Sequence, residues 1–527
     1  MAWDCIIVGA GSAGCAAAYP LVQAGKTVLL LESGGSDRSP FIRIPAAVWR
    51  LRPQHDWGYR AQPDPTRHGA AEAWHRGRVL GGTSSINGML YVRGAAGDYD
   101  RWAQLCGQVG GWSAREVMPI FRELECLDQE AVLRGTQGPL YLRTVRRPHA
   151  ITRAFVESAS AAGQPLNPDY NGASQEGVGY LQFTQRRGLR WSAADAFIRP
   201  LLGRRNLQLR LGATVRKIEF VQGRATAVVF EQGGRLQRES AREVILSAGA
   251  INSPLLLMRS GIGDADELER HKLEVVVDRP EVGRNLREHP LVQLTYRTRI
   301  ATHNLTQGIL QKLAIAASYL RFQEGPIAAA YEAAAFLKTV PSAEVPDVQV
   351  FFAPIGWGVV NGSAQLSPYP AIKCVILRSH AVSSGRVRLS SGDPDSPPVI
   401  ECRLLESAED VATLVRGIEA VRAIINTDPI AKLIESEVTP GATEAGISLD
   451  VAEFVRSHTE PSCHPMGTCR MGVDADAVVD PELRVRGTEN LWIADASIMP
   501  DAISANLNAP CMMIGAKLGR QLVAKGR

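Results

Sequence analysis

The 527-residue sequence has no run of the 18 or so clean apolar residues that a membrane span needs. The longest candidate, Ile327 to Leu337, is broken by Glu332. No transmembrane segment is expected. The nine cysteines, at 5, 15, 106, 126, 374, 402, 463, 469 and 511, form no C-x-x-C pair. Their odd number and scatter give no zinc site and no disulfide framework, so no metal is expected and a reduced, cytoplasmic chain is. Neither sign of charge dominates, with 58 Lys and Arg against 54 Asp and Glu. That balance leaves no basic field for nucleic acid and no acidic tail. There is no internal repeat and no low-complexity segment. The first apolar strand pattern begins almost at Met1, so no signal peptide is expected before it. What remains is a chain of ordinary apolar content, 45%, long enough for two domains.

The chain is organised around residues 4 to 34. Cys5 to Val8 is a short apolar run, the pattern of a buried parallel strand. Gly9, Gly11 and Gly14 follow as G-x-G-x-x-G, with Ala10, Ser12 and Ala13 between them. Ala13 to Ala24 is helix-prone, Gly25 can end it, and Thr27 to Leu31 is a second buried strand closed by Glu32 and Ser33. Gly9 permits the tight turn, Gly11 lets a pyrophosphate reach the backbone, and Gly14 lets helix and strand pack closely. The helix N-terminus offers unpaired N–H groups to phosphate. An acid at Glu32 suits a ribose hydroxyl and disfavours a 2′-phosphate, so the pattern predicts FAD or NAD.

Further landmarks lie downstream. Five prolines between 40 and 65 break the next stretch into a long loop, punctuated by Trp49, Trp57 and Tyr59, that could cover a cofactor. Arg76 to Gly94 carries Gly81-Gly82 followed by three hydroxyl residues, a second approach to phosphate or to a ring edge. Asp98 to Asp128 reads as helical, anchored by Trp102, Trp112 and Phe121, and Ala150 to Ala162 as a further helix. Asn167 to Gly179 is turn-rich, and Ser192 to Leu202 reads as a short helix near the cofactor. Strand patterns at 207–212, 215–221, 224–230 and 242–246 suggest an antiparallel ribbon appended to the nucleotide-binding sheet. Ala248, Gly249 and Ala250 allow close approach to a ligand. His289, in the polar loop before Pro290, reads as a structural loop histidine first and as a site residue second. Alternating stretches at 291–298, 348–353, 371–377 and 387–389 predict a second sheet with a ligand-facing side. Helices at 309–322 and 408–426 would pack on it. His464 sits in a turn-rich loop, Thr459 to Gly472. Asp495 to Pro510 follows a short strand and leads into a last helix.

Five landmarks in this order, the fingerprint at 9–14, Gly81-Gly82, Gly249 to Gly263, the His464 loop and Asp495 to Pro510, resemble the glucose–methanol–choline (GMC) flavoprotein oxidoreductases, and most nearly their bacterial alcohol, choline and sorbose dehydrogenase-like members. The resemblance implies an α/β fold: a Rossmann-like FAD domain from 1–145, 190–290 and 455–527, and a substrate domain on an antiparallel sheet from 146–189 and 291–454. It implies FAD, with Gly9 to Gly14 on the pyrophosphate, Glu32 on the ribose and the Val215 backbone at the adenine. Arg78, Val79, Gly82, Thr83, Asn87, Gly88, Met89 and Leu90 would lie along the flavin. Asp495, Ala496, Asn506, Asn508, Ala509 and Pro510 would close the site. Relatives that hold FAD covalently use a histidine where this chain has Ile86, so noncovalent FAD is expected.

The implied reaction oxidises a primary alcohol to an aldehyde. His464 would take the hydroxyl proton, since an imidazole can cycle its charge near neutral pH. Asn508 would donate to the developing alkoxide. The electron acceptor is dioxygen or a quinone or other redox carrier. Aliphatic, aromatic, amino, sugar and pyridoxine-like alcohols are open as substrates. A lyase or light-driven decarboxylase of the same fold, or a redox-inactive FAD scaffold, is a competing reading; retention of both His464 and Asn508 argues against the former. Peripheral membrane contact through the Arg- and Trp-bearing loop at 41–60 stays compatible with the absence of a span. Cys463 reads either as a pocket-shaping small side chain or as a buried hydrophobe without mechanistic duty.

Overall fold

The computed structural model describes residues 2–51, 53–305, 308–360, 363–441 and 450–526. Arg52 and the side chain of Trp49, both in the loop considered for membrane contact, lie outside the described residues, as do the side chains of residues 309–311.

Two seven-stranded sheets carry the molecule. The first grows from the fingerprint. Trp3–Val8 pairs in parallel with Val28–Glu32 on one side and with Arg235–Leu246 on the other. Leu207–Leu211 extends it beyond Val28–Glu32, and Leu491–Ile493 joins Arg235–Leu246. The central strands are apolar and almost wholly buried, as a parallel sheet covered on both faces requires. The ribbon consists of Ala213–Val221, Arg224–Gln232 and Arg235–Leu246, which are antiparallel, and the last runs on into the parallel sheet. One strand thus joins ribbon to core. The strand expected in the ribbon at 207–212 instead pairs in parallel with Val28–Glu32 as part of the core sheet.

The second sheet orders its strands as Ile434–Thr439, Pro290–Thr298, Ala371–Arg378, Val348–Ala353, Ala333–Leu337 and Gly177–Tyr180, with Glu460–Pro461 beside Pro290–Thr298. Its far face is covered by helices. Phe352 stacks on Phe155 of Ala150–Ala161 at 4.4 Å. Helix Ala408–Ile425 comes so close at Gly417 that a Cβ there would sit 2.9 Å from Ile376.

Four further expectations need correction. Asp98 to Asp128 is two helices, Ala96–Leu105 and Ala114–Leu124, then a strand. Gly107, Gly110 and Gly111 lie between the helices with positive φ, which a continuous helix cannot accommodate. Ser192 to Leu202 winds as a π-turn, Ala194–Ile198, and a 3-10 turn, Arg199–Leu201. Arg386–Arg388 pairs with Val399–Glu401 in a separate ribbon rather than in the large sheet. Helix Ile309–Phe322 does not pack as expected: Leu313 is 61% and Leu320 78% exposed.

Candidate active site

A cavity of about 1010 Å³ runs between the two sheets. At one end the fingerprint shapes it. Gly9 has φ +100°, and a Cβ there would sit 2.5 Å from Ser247 O. At Gly14 a Cβ would lie 1.9 Å from Gly9 O, so only glycine lets helix Ser12–Gln23 start where it does. Gly11 instead faces open space in the cavity, with only Gly82 Cα within 4 Å, at 3.9 Å. The two glycine segments therefore meet, as both were expected to approach one ligand. Glu32 accepts the Ala10 and Gly34 N–H groups at 3.0 and 2.8 Å, and burial pushes its carboxyl up to about 7. The long loop contributes Trp57, stacked on Tyr59 at 5.8 Å, with the Arg78 guanidinium 4.9 Å from the Trp57 ring centre.

His464 and the two asparagines occupy the middle of the cavity. His464 Nε2 is 3.2 Å from Asn506 Nδ2. Asn508 is turned elsewhere: its Oδ1 accepts the Ser12 hydroxyl at 2.7 Å. Its Nδ2, like Ser247 Oγ, is buried and finds no protein partner among the described residues. The amide against the histidine is thus Asn506, not Asn508. On the other side of the ring, His464 Nδ1 is 2.9 Å from Ser462 Oγ and 3.1 Å from His289 Nδ1. His289 is fully buried against the site, closer to the chemistry than a structural loop residue. Burial, His289 and Arg76 hold the His464 imidazole well below its ordinary pKa, so it stays neutral. Cys463 lines the cavity in a left-handed conformation, φ +62°, and its carbonyl accepts from Arg76 Nη2. Such backbone in a non-glycine residue is held by its surroundings.

The opposite wall is the near face of the second sheet. Leu291, Val375, Leu377 and Phe351 project from it, and Tyr331 packs on Phe351 at 6.2 Å and on Trp357 at 5.9 Å. The alternation in the sequence marked this face. Lys373 shares it, two residues from Val375, with its ammonium 4.6 Å from the Trp357 ring centre and bonded to Trp357 O at 2.7 Å. Burial lowers that lysine to about 8.

A family model for GMC oxidoreductases matches residues 3–291, and a second matches 381–515. The chain belongs to the GMC oxidoreductase family. Its GMC relatives include the oxygen-dependent choline dehydrogenase of Rhizobium meliloti (strain 1021), 39% identical over 537 residues, which cover 99% of this chain and 96% of the relative. That of Brucella melitensis biotype 1 is 38% identical over 532 residues, with 99% and 96% covered. Among solved GMC structures, pyridoxine 4-oxidase from Mesorbium loti superposes with a TM-score of 0.88 at 29% identity, covering 98% of this chain and 99% of that one. A formate oxidase superposes at 0.90 with 24% identity, over 99% and 98%, a likeness of fold. As a GMC protein the chain is an FAD-dependent oxidoreductase acting on CH–OH groups.

The residues present fit FAD. Gly11 opens onto the cavity where a Cβ would intrude on a phosphate, and the Ser247 hydroxyl and Asn508 amide face it without protein partners. Of the expected cofactor residues, Ala10, Gly14, Val79, Ala509 and Pro510 lie behind the wall rather than on it, because the turn and the last helix's first residues pack inward. The others line the cavity, Val215 and Ser33 included. Sequence reasoning passed over Glu288, Ser462 and Arg76. The only signal was their place in loops otherwise rich in small or turn-forming residues.

Proposed function

We propose that this protein oxidises a neutral, largely apolar primary alcohol to the aldehyde, with His464 as the base and Asn506 as the donor to the alcohol oxygen. The observation that carries it is the 3.2 Å approach of the Asn506 amide to His464 Nε2, facing an apolar wall across the cavity. Bound FAD supplies the acceptor for the substrate's hydride. The chain's own groups do the rest. His464 Nε2 takes the hydroxyl proton; the Asn506 N–H groups steady the alkoxide without competing for that proton. Asn508, turned to Ser12, holds the start of the last helix against the fingerprint and presents its free N–H groups to the cofactor. Noncovalent FAD follows from Ile86 at the attachment position. The two large sheets support the two-domain division expected from the sequence.

Choline, the substrate in the relatives' names, is disfavoured here. The carboxylates that line the cavity are already held: Glu32 by two N–H groups, Asp495 by Gly249 N and Ser253 Oγ, Asp395 by Arg216. None stands on the sheet wall among the described lining residues. Tyr331, Phe351 and Trp357 could cage a cation, but the Lys373 ammonium already takes the Trp357 ring. Dioxygen serves as acceptor in one reading and a quinone in the other; pyridoxine 4-oxidase in the neighbouring fold favours testing oxygen first. The nine unpaired cysteines support a reducing compartment.

The test is anaerobic. Purified holoprotein is titrated with aryl and aliphatic alcohols and with choline, and flavin absorption is followed. Bleaching by the apolar alcohols and not by choline is expected, and admitted air then shows whether oxygen restores the colour. Bleaching by choline alone would overturn the substrate reading.

A further inference from the structure

Glu288 is 3% exposed and touches no cavity space, yet four hydrogen bonds converge on it. Its carboxylate accepts the backbone N–H of His464, at 2.7 Å to each oxygen, the N–H of His289 at 2.9 Å, and the Ser462 hydroxyl at 2.9 Å. Ser462 Oγ also lies 2.9 Å from His464 Nδ1. A hydroxyl has one proton. Given to Glu288, it leaves Ser462 only lone pairs for His464, so Nδ1 must carry the imidazole proton. Nε2 then presents its lone pair to the cavity, where it meets the Asn506 amide nitrogen, a donor. His289 agrees with this polarity. Burial lowers it to about 3, so it is neutral and carries one bare ring nitrogen. Its Nδ1, 3.1 Å from His464 Nδ1, is a second acceptor.

We propose that Glu288 is the positioning carboxylate of the base, acting through the Ser462 hydroxyl to hold His464 in the tautomer with a bare Nε2 and to steady the imidazolium. The inference rests on the reading of His464 as base. In the step, the substrate O–H bond breaks and its proton goes to Nε2. The Nδ1 proton stays in place, shared with Ser462, and Glu288 takes up none. The hydride leaves for FAD, the acceptor the family's activity supplies. The arrangement works because a buried anion one hydroxyl away offsets the cost of an enclosed imidazolium.

The same chain gives a pH response. A protonated Glu288 would donate to Ser462, turn its hydroxyl toward Nδ1, and drive the imidazole proton to Nε2, where it blocks the base. Burial raises the Glu288 carboxyl to about 7, against the opposing pull of its hydrogen bonds and of Arg76. The charged and titratable groups around it are Arg76, His464, His289 and the Cys463 thiol, which burial raises, and behind His289 the His380–Asp98 pair at 2.7 Å. His464 itself titrates well below its usual range, so the acid limb of the rate belongs to Glu288.

Ser462→Ala and Ser462→Thr in the holoprotein test this. The rate of flavin reduction by the best alcohol is measured from pH 5 to 9, with FAD content and thermal stability as controls. Ser462→Ala should slow reduction at least about tenfold at unchanged FAD content and move the acid limb down; Ser462→Thr, which keeps the hydroxyl, should restore both. Nitrogen-15 NMR of the histidines should show Nδ1–H in the wild type and a mixture in Ser462→Ala. A full rate with an unmoved limb in Ser462→Ala, or an unchanged tautomer, overturns the proposal. If no alcohol reduces the wild-type flavin, the alcohol reading fails on its own, and the NMR still decides the tautomer.

Discussion

Asn506 and Asn508 are two residues apart and point to different partners. Asn506 faces His464; Asn508 faces Ser12 across the start of the fingerprint helix. Their replacements should therefore separate. Asn506→Ala should cut flavin reduction by about 10²-fold, the usual loss when one donor to a developing oxyanion is removed, with FAD retained. Asn508→Ala should weaken FAD retention first, read by flavin content after gel filtration. The opposite pattern would return the role to Asn508. His464→Ala should lower turnover by about 10²- to 10⁴-fold while the protein stays yellow; near-normal turnover would remove the base from the mechanism. At the same scale, Gly14→Ala forces a Cβ into the Gly9 carbonyl. It should cost about 1–3 kcal/mol, seen as a lowered unfolding temperature together with loss of FAD.

The last helix, Asn508–Lys525, shows how an element is placed by what it lacks. It lies on Ser12–Gln23 with Gly515 and Gly519 at the contact. A Cβ at Gly515 would sit 2.1 Å from Ala13 O, and one at Gly519 2.5 Å from Ala17 O. The two backbones approach as closely as small residues permit, and that approach seats Asn508 beside Ser12. Gly515→Val should push the helix outward and lower both thermal stability and FAD content, whereas a mere surface packing would leave FAD content intact. The helix itself was legible from sequence; the meaning of its glycines was not, because the partner lies some 500 residues away. Helix Ile309–Phe322 is the reverse case. Its apolar pattern reads as a packed helix, yet Leu313 and Leu320 face outward. Periodicity reports that a helix is apolar, not what covers it.

At the scale of the molecule, the contiguous signals were the readable ones. Strand, glycine turn, helix and terminal acid within residues 3–32 fall where the spacing puts them. The alternating strands at 291–298 and 371–377 do present one face to the cavity. The Glu288–Ser462–His464 chain was not readable, since 174 residues separate Glu288 from Ser462 and neither stands in a distinctive motif. His289 looked structural for the same reason. The cavity between the sheets also predicts a linkage. Because both the fingerprint and the His464 loop line the cavity proposed for FAD, FAD binding should stabilise the fold in a concentration-dependent way, by about 2.7 kcal/mol at a hundredfold excess over Kd, read as a raised unfolding temperature. Acid precipitation should leave the flavin in the supernatant; flavin retained on the pellet would show a covalent bond.

Opposite the second sheet, the wall of that cavity takes residues from segments as far apart as 8–13, 75–90, 213–216, 247–259, 462–465 and 495–511. During synthesis the fingerprint emerges well before the segment from 495 to 511. The parallel sheet around the fingerprint stays incomplete until Arg235–Leu246 arrives, since Trp3–Val8 lies between that strand and Val28–Glu32. The fingerprint end of the cavity closes later still, when Asn508 reaches Ser12. Flavin loading is therefore a late event in the life of the chain, and a nascent protein halted before Asn506 should emerge colourless, however much FAD surrounds it.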